Sequence, residues 1–223
     1  MLLHLSIAGA QTSASFPSVH LNSKTLRAQE QAEEVFERRD YGRAFSIYRD
    51  DLAPIGDKYA QYMVGFMHLT GKGTGEDRVA ASAWYRLSAE RGTKEFVGAR
   101  DRLMRTLDEP QKTESDRQYI ALRKEYGDLI LLANALRRDL AEFRNRTGSR
   151  IASATSPIAI VDINRSGTTR SGTEYYAQIE RRIQLRLDYI RSKTKIDIID
   201  MNLETINPDL IEQRISAYLE IID

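Results

Sequence analysis

Asp40, Ala44 and Tyr48 recur as Asp77, Ala81 and Tyr85, each 37 positions later, and Gly56 recurs as Gly92 after 36. A period in this range is longer than one helix and shorter than a domain. It fits a supersecondary unit that stacks on its neighbours, and it predicts a chain of helix pairs around a continuous core. The residue types suit that role. Alanines let two helices cross closely, aromatics fill the space between pairs, and glycines end helices by adopting positive φ.

The segments between these positions carry helical periodicity. Residues 24–39, "KTLRAQEQAEEVFERR", place Leu26, Ala32, Val35 and Phe36 on one side. "DYGRAFSIYRDDL", "DKYAQYMVGFMHLTGKG", "EDRVAASAWYRLSAERG" and "TKEFVGARDRLMRTL" follow, separated by glycines or short polar breaks. Short connections of this kind join antiparallel helices.

The glycines at 71–75 raise a second reading. "GKGTG" ahead of a helix resembles a phosphate cradle, but Walker A requires four residues between its first glycine and the Gly-Lys-Ser/Thr. Here Lys72 directly follows Gly71, and residues 60–70 read as a helix instead of a strand. The segment is therefore expected to turn the chain between two helices, with Asp77 in the first turn of the second, where a carboxylate suits the helix dipole.

Residues 56–92 resemble a complete Sel-one-like repeat, a relative of the tetratricopeptide repeat. The resemblance rests on Ala60, Val64-Gly65, His68, Gly71-x-Gly73, Asp77, Ala81, Trp84-Tyr85, Ser88-Ala89 and Gly92. Val64, His68, Thr74 and Ser88 depart mildly from the pattern. A poorer repeat precedes it over about 29–56, and a third begins at Thr93 and decays, so the resemblance covers about residues 29–107. It implies an all-α fold with a short right-handed α-solenoid and a non-enzymatic scaffold or adaptor role in protein–protein interaction. By analogy with the inner helix of the repeat, the partner groove would use Tyr59, Tyr62, Met63, Phe66 and Met67. The same stripe also reads as core.

Asp108-Glu109-Pro110-Gln111 is a helix start, with an Asp cap, a first-turn proline and a Gln three after the cap. One helix, or two joined near Gly127, runs on to about 146 and carries Tyr119, Leu122, Tyr126, Leu129, Leu132, Leu136, Leu140 and Phe143. It would cap the open end of the solenoid or form the seam of a homodimer. Residues 147–172 form a Ser/Thr/Gly-rich linker with one strand-like run, "PIAIVDI", and no evident partner for it. Tyr176, Ile179, Ile183, Leu187 and Ile190 then mark a helix, and Asn207-Pro208 starts a last one. The expected organisation is a leader at 1–22, repeats at 24–107, a cap at 108–146, a linker at 147–172 and a helical pair at 173–223.

Composition narrows function by exclusion. With no cysteine, thiolate metal sites and cysteine nucleophiles are out, and 33 basic against 32 acidic residues speak against a nucleic-acid binder. No apolar run reaches bilayer length. Three histidines and no HExxH, GxSxG or SxxK motif leave no catalytic, metal or cofactor residue to name. A carboxylate-based enzyme, or a domain regulating one, is the alternative, although Asp50-Asp51 and Asp197/Asp200 sit among other charges as solvated surface does. The start, "MLLHLSIAGAQTSASFPS", ends its apolar part at Ala8-Gly9-Ala10, a small-x-small signal-peptidase pattern. The working expectation is an exported, periplasmic protein; without that signal the chain would be cytoplasmic.

Overall fold

The structure is a computed structural model that describes residues 16–17, 23–148, 159–161, 169–193 and 213. The described residues are all-α apart from one two-stranded ribbon. The chain divides into two compact units, Met1–Leu131 and Leu132–Asp223. The expected leader at 1–22 and the last helix that starts at Asn207-Pro208 fall almost wholly outside the described residues.

In the first unit α1 (Ser23–Glu37) leads into α2 (Tyr41–Ser46). The buried face of α1 holds Thr25, Ala32 and Val35, while Leu26 is 50% exposed. The expected face is thus corrected by one position: Thr25, Ala28, Ala32 and Val35 follow three-four-three spacing, and Leu26 lies off that stripe.

The α2 segment changes pitch twice. Ile47–Leu52 widens into a π turn, Ala53–Ile55 tightens into a 3₁₀ turn, and Gly56 stops the chain at φ 81°. Pro54 supplies a reason. It has no amide to donate and its ring crowds the carbonyl four residues back, so a regular α-helix cannot pass through it. Asp57 then caps α3 (Lys58–Thr70) by accepting from the Ala60 amide at 3.0 Å.

Gly71 closes α3 at φ 65°, and α4 (Arg78–Ser88) starts from Asp77, whose carboxylate accepts from the Val79 and Ala80 amides at 2.9 Å. Asp77 is therefore the cap itself and not a first-turn residue. The 3₁₀ turn Ala89–Arg91 and Gly92 at φ 76° end the segment, after which α5 (Lys94–Met104) follows. The two segments 40–56 and 77–92 share their construction. Asp40 and Asp77 both cap a helix, Ala44 and Ala81 are both fully buried, and Tyr48 and Tyr85 are buried to 1% and 3% exposure. Both end in a 3₁₀ turn followed by a left-handed glycine.

α3 packs along α4, and the close approach has a residue cause. A Cβ on Gly65 would lie 2.6 Å from the Tyr85 ring and 3.1 Å from the Ala81 carbonyl. α6 (Glu109–Tyr126) covers α4 from the other side, stacking Tyr126 on Trp84 at 6.0 Å and Tyr119 under the Arg86 guanidinium at 4.3 Å. Its predicted capping box forms, with Asp108 and Gln111 bonding reciprocally. Gly127 breaks the chain before α7 (Asp128–Gly148), so the stretch after 108 is two helices.

In the second unit the rest of α7 buries Leu132, Leu136 and Leu140, and α8 (Gly172–Lys193) buries Ile179, Ile183, Leu187 and Ile190. Asp139 of α7 is ion-paired with Arg182 at 3.1 Å and with Arg186. The strand-like run in the linker does have a partner, which corrects the expectation that it lacked one. β1 (Ala159–Val161) pairs antiparallel with β2 (Thr169–Ser171), in the register Ala159 to Ser171. The partner strand, Thr-Arg-Ser, has too little apolar character to stand out in the sequence.

Candidate functional site

The five residues named for a partner groove separate by burial. Met63 is 6% and Met67 0% exposed, and both belong to the core with Val64 and Leu87. That part of the expected groove is corrected: two side chains this enclosed cannot meet a partner without unpacking the unit. Tyr59, Tyr62 and Phe66 are half-buried and follow one another at three- and four-residue spacing along α3. They form an aromatic stripe whose inner side packs on the core.

Each ring of the stripe is oriented by neighbours. Tyr59 meets buried Tyr48 edge-on at 6.3 Å, and burial first, then Glu33, pushes its phenol up to about 12. Tyr62 lies between Tyr85 and Phe96, 5.1 Å from each and nearly parallel to both. Phe66 is 6.3 Å from Phe36, which meets Tyr41 edge-to-face at 5.2 Å. These geometries are favourable for ring quadrupoles and hold the stripe rigid.

The expected repeat positions come together around it. Ala60, Ala81, Trp84, Tyr85 and Ala89 are buried, and Gly65 is the crossing point of α3 and α4. Gly71, Gly73 and Gly92 adopt positive φ. Gly73 is the most constrained, since a Cβ there would lie 2.2 Å from the Tyr41 carbonyl oxygen. The 71–75 turn is thereby laid against the start of α2, and Lys72 reaches the rings of Tyr41, Phe66 and Phe36 at 5.1, 5.3 and 5.6 Å. The lysine that suggested a phosphate cradle is engaged by aromatic faces.

Behind the stripe lies an ionic hub absent from the sequence reading. Lys58, 5% exposed, donates to Gln61 Oε1 and the Leu87 carbonyl at 3.0 Å and to Glu90 at 2.8 Å, with Asp128 at 3.1 Å. Arg91 binds Asp128 in bidentate fashion at 2.9 Å, donates to the Gly56 carbonyl at 2.9 Å and carries the Phe16 ring at 3.6 Å. Glu90 also accepts from the Asp128 amide at 3.2 Å, at the N-terminal end of α7. Burial alone would raise the Asp128 carboxyl, but Lys58 and Arg91 outweigh it and hold the group below the ordinary aspartate range. Lys58 and Arg91, with Arg123 3.8 Å from Glu90 at the more exposed edge, thus compensate Glu90 and Asp128 in a largely buried site, which suits a structural lock. Nothing in local spacing announced it, because Lys58, Glu90 and Asp128 lie far apart in sequence.

His68 packs edge-on to Phe45 at 5.2 Å with its Nδ1 buried and unpartnered, and burial holds it below the usual histidine value. It packs as an aromatic side chain within the first unit. Asp50 is paired with Arg49 at 2.6 Å on the surface. Glu33 is the carboxyl pushed upward, by burial first and then by Glu37 and Asp57. Among the described residues no three His, Asp or Glu side chains converge as metal ligands, and no helix is long and apolar enough to cross a membrane.

No family model matches the chain, and the searches of curated proteins and of solved structures likewise return no match. The described residues define an all-α fold with a half-buried aromatic stripe on α3.

Proposed function

We propose that residues 24–107 are a short right-handed solenoid of Sel-one-like helix pairs, and that the protein is a non-enzymatic scaffold or adaptor acting through protein–protein contacts at the bacterial envelope. One observation carries the reading: segments 40–56 and 77–92 repeat the same cap, alanine, tyrosine and left-handed glycine at corresponding places. Stacked repeats expose an extended face while burying the rest, which is how such folds bind other chains. Tyr59, Tyr62 and Phe66 would supply the contact area, because half-buried, rigid aromatics lose little freedom on binding. The envelope assignment rests on the Ala8-Gly9-Ala10 pattern.

The test is affinity capture from envelope and cytosolic fractions with the full chain and with Tyr59→Glu, which places a charge at the edge of the stripe. One envelope protein captured by the parent and lost with Tyr59→Glu, the variant remaining folded by circular dichroism, is the expected result. Equal capture by both chains would contradict the stripe. The alternative, a carboxylate-based enzyme, draws on Glu33 alone, whose raised carboxyl lies beside Tyr59.

A further inference from the structure

The aromatic stripe of α3 has an acidic flank. On α1, Gln29, Glu33 and Glu37 lie four residues apart and so share one face. Gln29 donates its side-chain amide to the Asp57 carboxylate at 2.5 Å, which fixes that face beside the start of α3. Further along, Glu33 acts on the Tyr59 phenol, and Phe36 lies 6.3 Å from Phe66. α1 and α3 therefore run in the same direction, and Glu33, with Glu37 and Asp57 acting on it from either side, stands at the Tyr59 end of the stripe.

No cation answers these carboxylates. Among the described residues the side chains of Glu33 and Glu37 make no ion pair and no hydrogen bond, and Asp57 accepts only from the neutral amides of Gln29 and Ala60. Arg38 of the same helix is engaged by Glu34 at 2.5 Å. Elsewhere the protein neutralises its enclosed acids: Glu90 and Asp128 meet Lys58 and Arg91, and Asp139 meets Arg182 and Arg186. Burial first, and then Glu37 and Asp57, raise the Glu33 carboxyl, as expected of an acid held near like charges without a counter-ion. Glu33 and Asp57 are half-buried and Glu37 is exposed, so another molecule can reach all three.

We infer that the protein partner of the stripe presents an arginine, which pairs with Glu33, Glu37 and Asp57 and stacks on Tyr59. The inference rests on the scaffold reading and names the chemistry of what the stripe binds. Charge complementarity selects this occupant. A purely apolar partner would bury carboxylates that have no counter-charge, and an acidic one would add repulsion. A guanidinium meets a carboxylate through two parallel hydrogen bonds and stacks on an aromatic face, so one side chain serves both the acids and the tyrosine. Apolar neighbours of that arginine would cover Tyr62 and Phe66.

The experiment is selection of a phage-displayed random-peptide library on the full chain, followed by fluorescence anisotropy with the strongest peptide. Arginine should be enriched over the unselected library. Replacing that arginine by citrulline, which keeps the shape and removes the charge, should weaken binding by about tenfold or more. Glu33→Gln/Glu37→Gln should do the same while the chain stays folded by circular dichroism, because the change keeps side-chain size and removes repulsion. Binding should also fall as sodium chloride rises from about 0.1 M to about 1 M, where the reach of a charge shrinks from about 10 Å to about 3 Å. Selected peptides without arginine, or arginine peptides indifferent to citrulline and to the glutamine pair, would overturn the inference. Tyr59→Leu separates that failure from failure of the scaffold reading. Peptides weakened by Tyr59→Leu but indifferent to charge would keep the stripe as a binding surface and remove the arginine. Peptides indifferent to both changes, or no selected peptide, would remove the stripe as well.

Discussion

Asp128 shows how a single residue can hold several elements at once. Its carboxylate meets Lys58 from α3 and Arg91 from the turn after α4, while its own amide donates to Glu90. Asp128→Asn would leave Lys58 and Arg91 under-compensated in a buried site, at a cost of roughly 3–5 kcal/mol. The pH dependence follows from the direction of the shift. The folded-state value lies below the ordinary 3.8, so the contribution is complete above that value and is lost as pH falls through the depressed one. Urea unfolding of parent and variant should differ fully at neutral pH and converge in acid. Arg39 offers a change of opposite sign. It is exposed and held at φ 64°, a conformation that costs a side-chain-bearing residue about 1–2 kcal/mol. After the entropy that glycine adds to the unfolded chain, Arg39→Gly should gain about 0.5–1 kcal/mol. A raised urea midpoint at unchanged slope would register it.

The elements divide sharply into those readable from the sequence and those that were not. The cap at Asp108, the left-handed stops at Gly56 and Gly92 and the stripe of α8 depend on local chemistry, and local chemistry can be read; Asp77 was read one position too far in, as a first-turn residue instead of the cap. The face of α1 was misplaced because Leu26 is the larger apolar residue, although Thr25 and the alanines follow the packed spacing. The ribbon partner at 169–171 and the Lys58 hub depend on contacts distant in sequence, which periodicity does not encode. The same distinction separates two glycines in one turn. Gly73→Ala meets both a positive φ and the Tyr41 carbonyl, so a loss of at least about 1–2 kcal/mol is expected. Gly75→Ala has open space around it and should stay within about 0.5 kcal/mol. Trp84, 7% exposed and stacked on Tyr126, joins α4 to α6, and Trp84→Ala should cost roughly 3–5 kcal/mol in chemical denaturation.

For the whole molecule, the candidate surface was half legible. Spacing placed Tyr59, Tyr62 and Phe66 on one helix together with Met63 and Met67, but spacing alone does not say which side of a stripe meets the core. Packing decided it: the methionines lie in the core shared with α1 and α2, while Tyr59, Tyr62 and Phe66 stay half-buried. The aromatic contacts of Lys72 were hidden for a different reason: the rings come from α1, α2 and α3, which no single periodic stretch joins. The scaffold reading stands on the repeated construction of segments 40–56 and 77–92, and its contact surface is the stripe, which in-cell photo-crosslinking tests most directly. A benzophenone amino acid replaces Tyr59 in one full-length chain and Ile120, exposed on α6, in another. The account predicts one discrete cross-linked protein partner from position 59 and none from position 120. No adduct from position 59, or the same adducts from both positions, would contradict it.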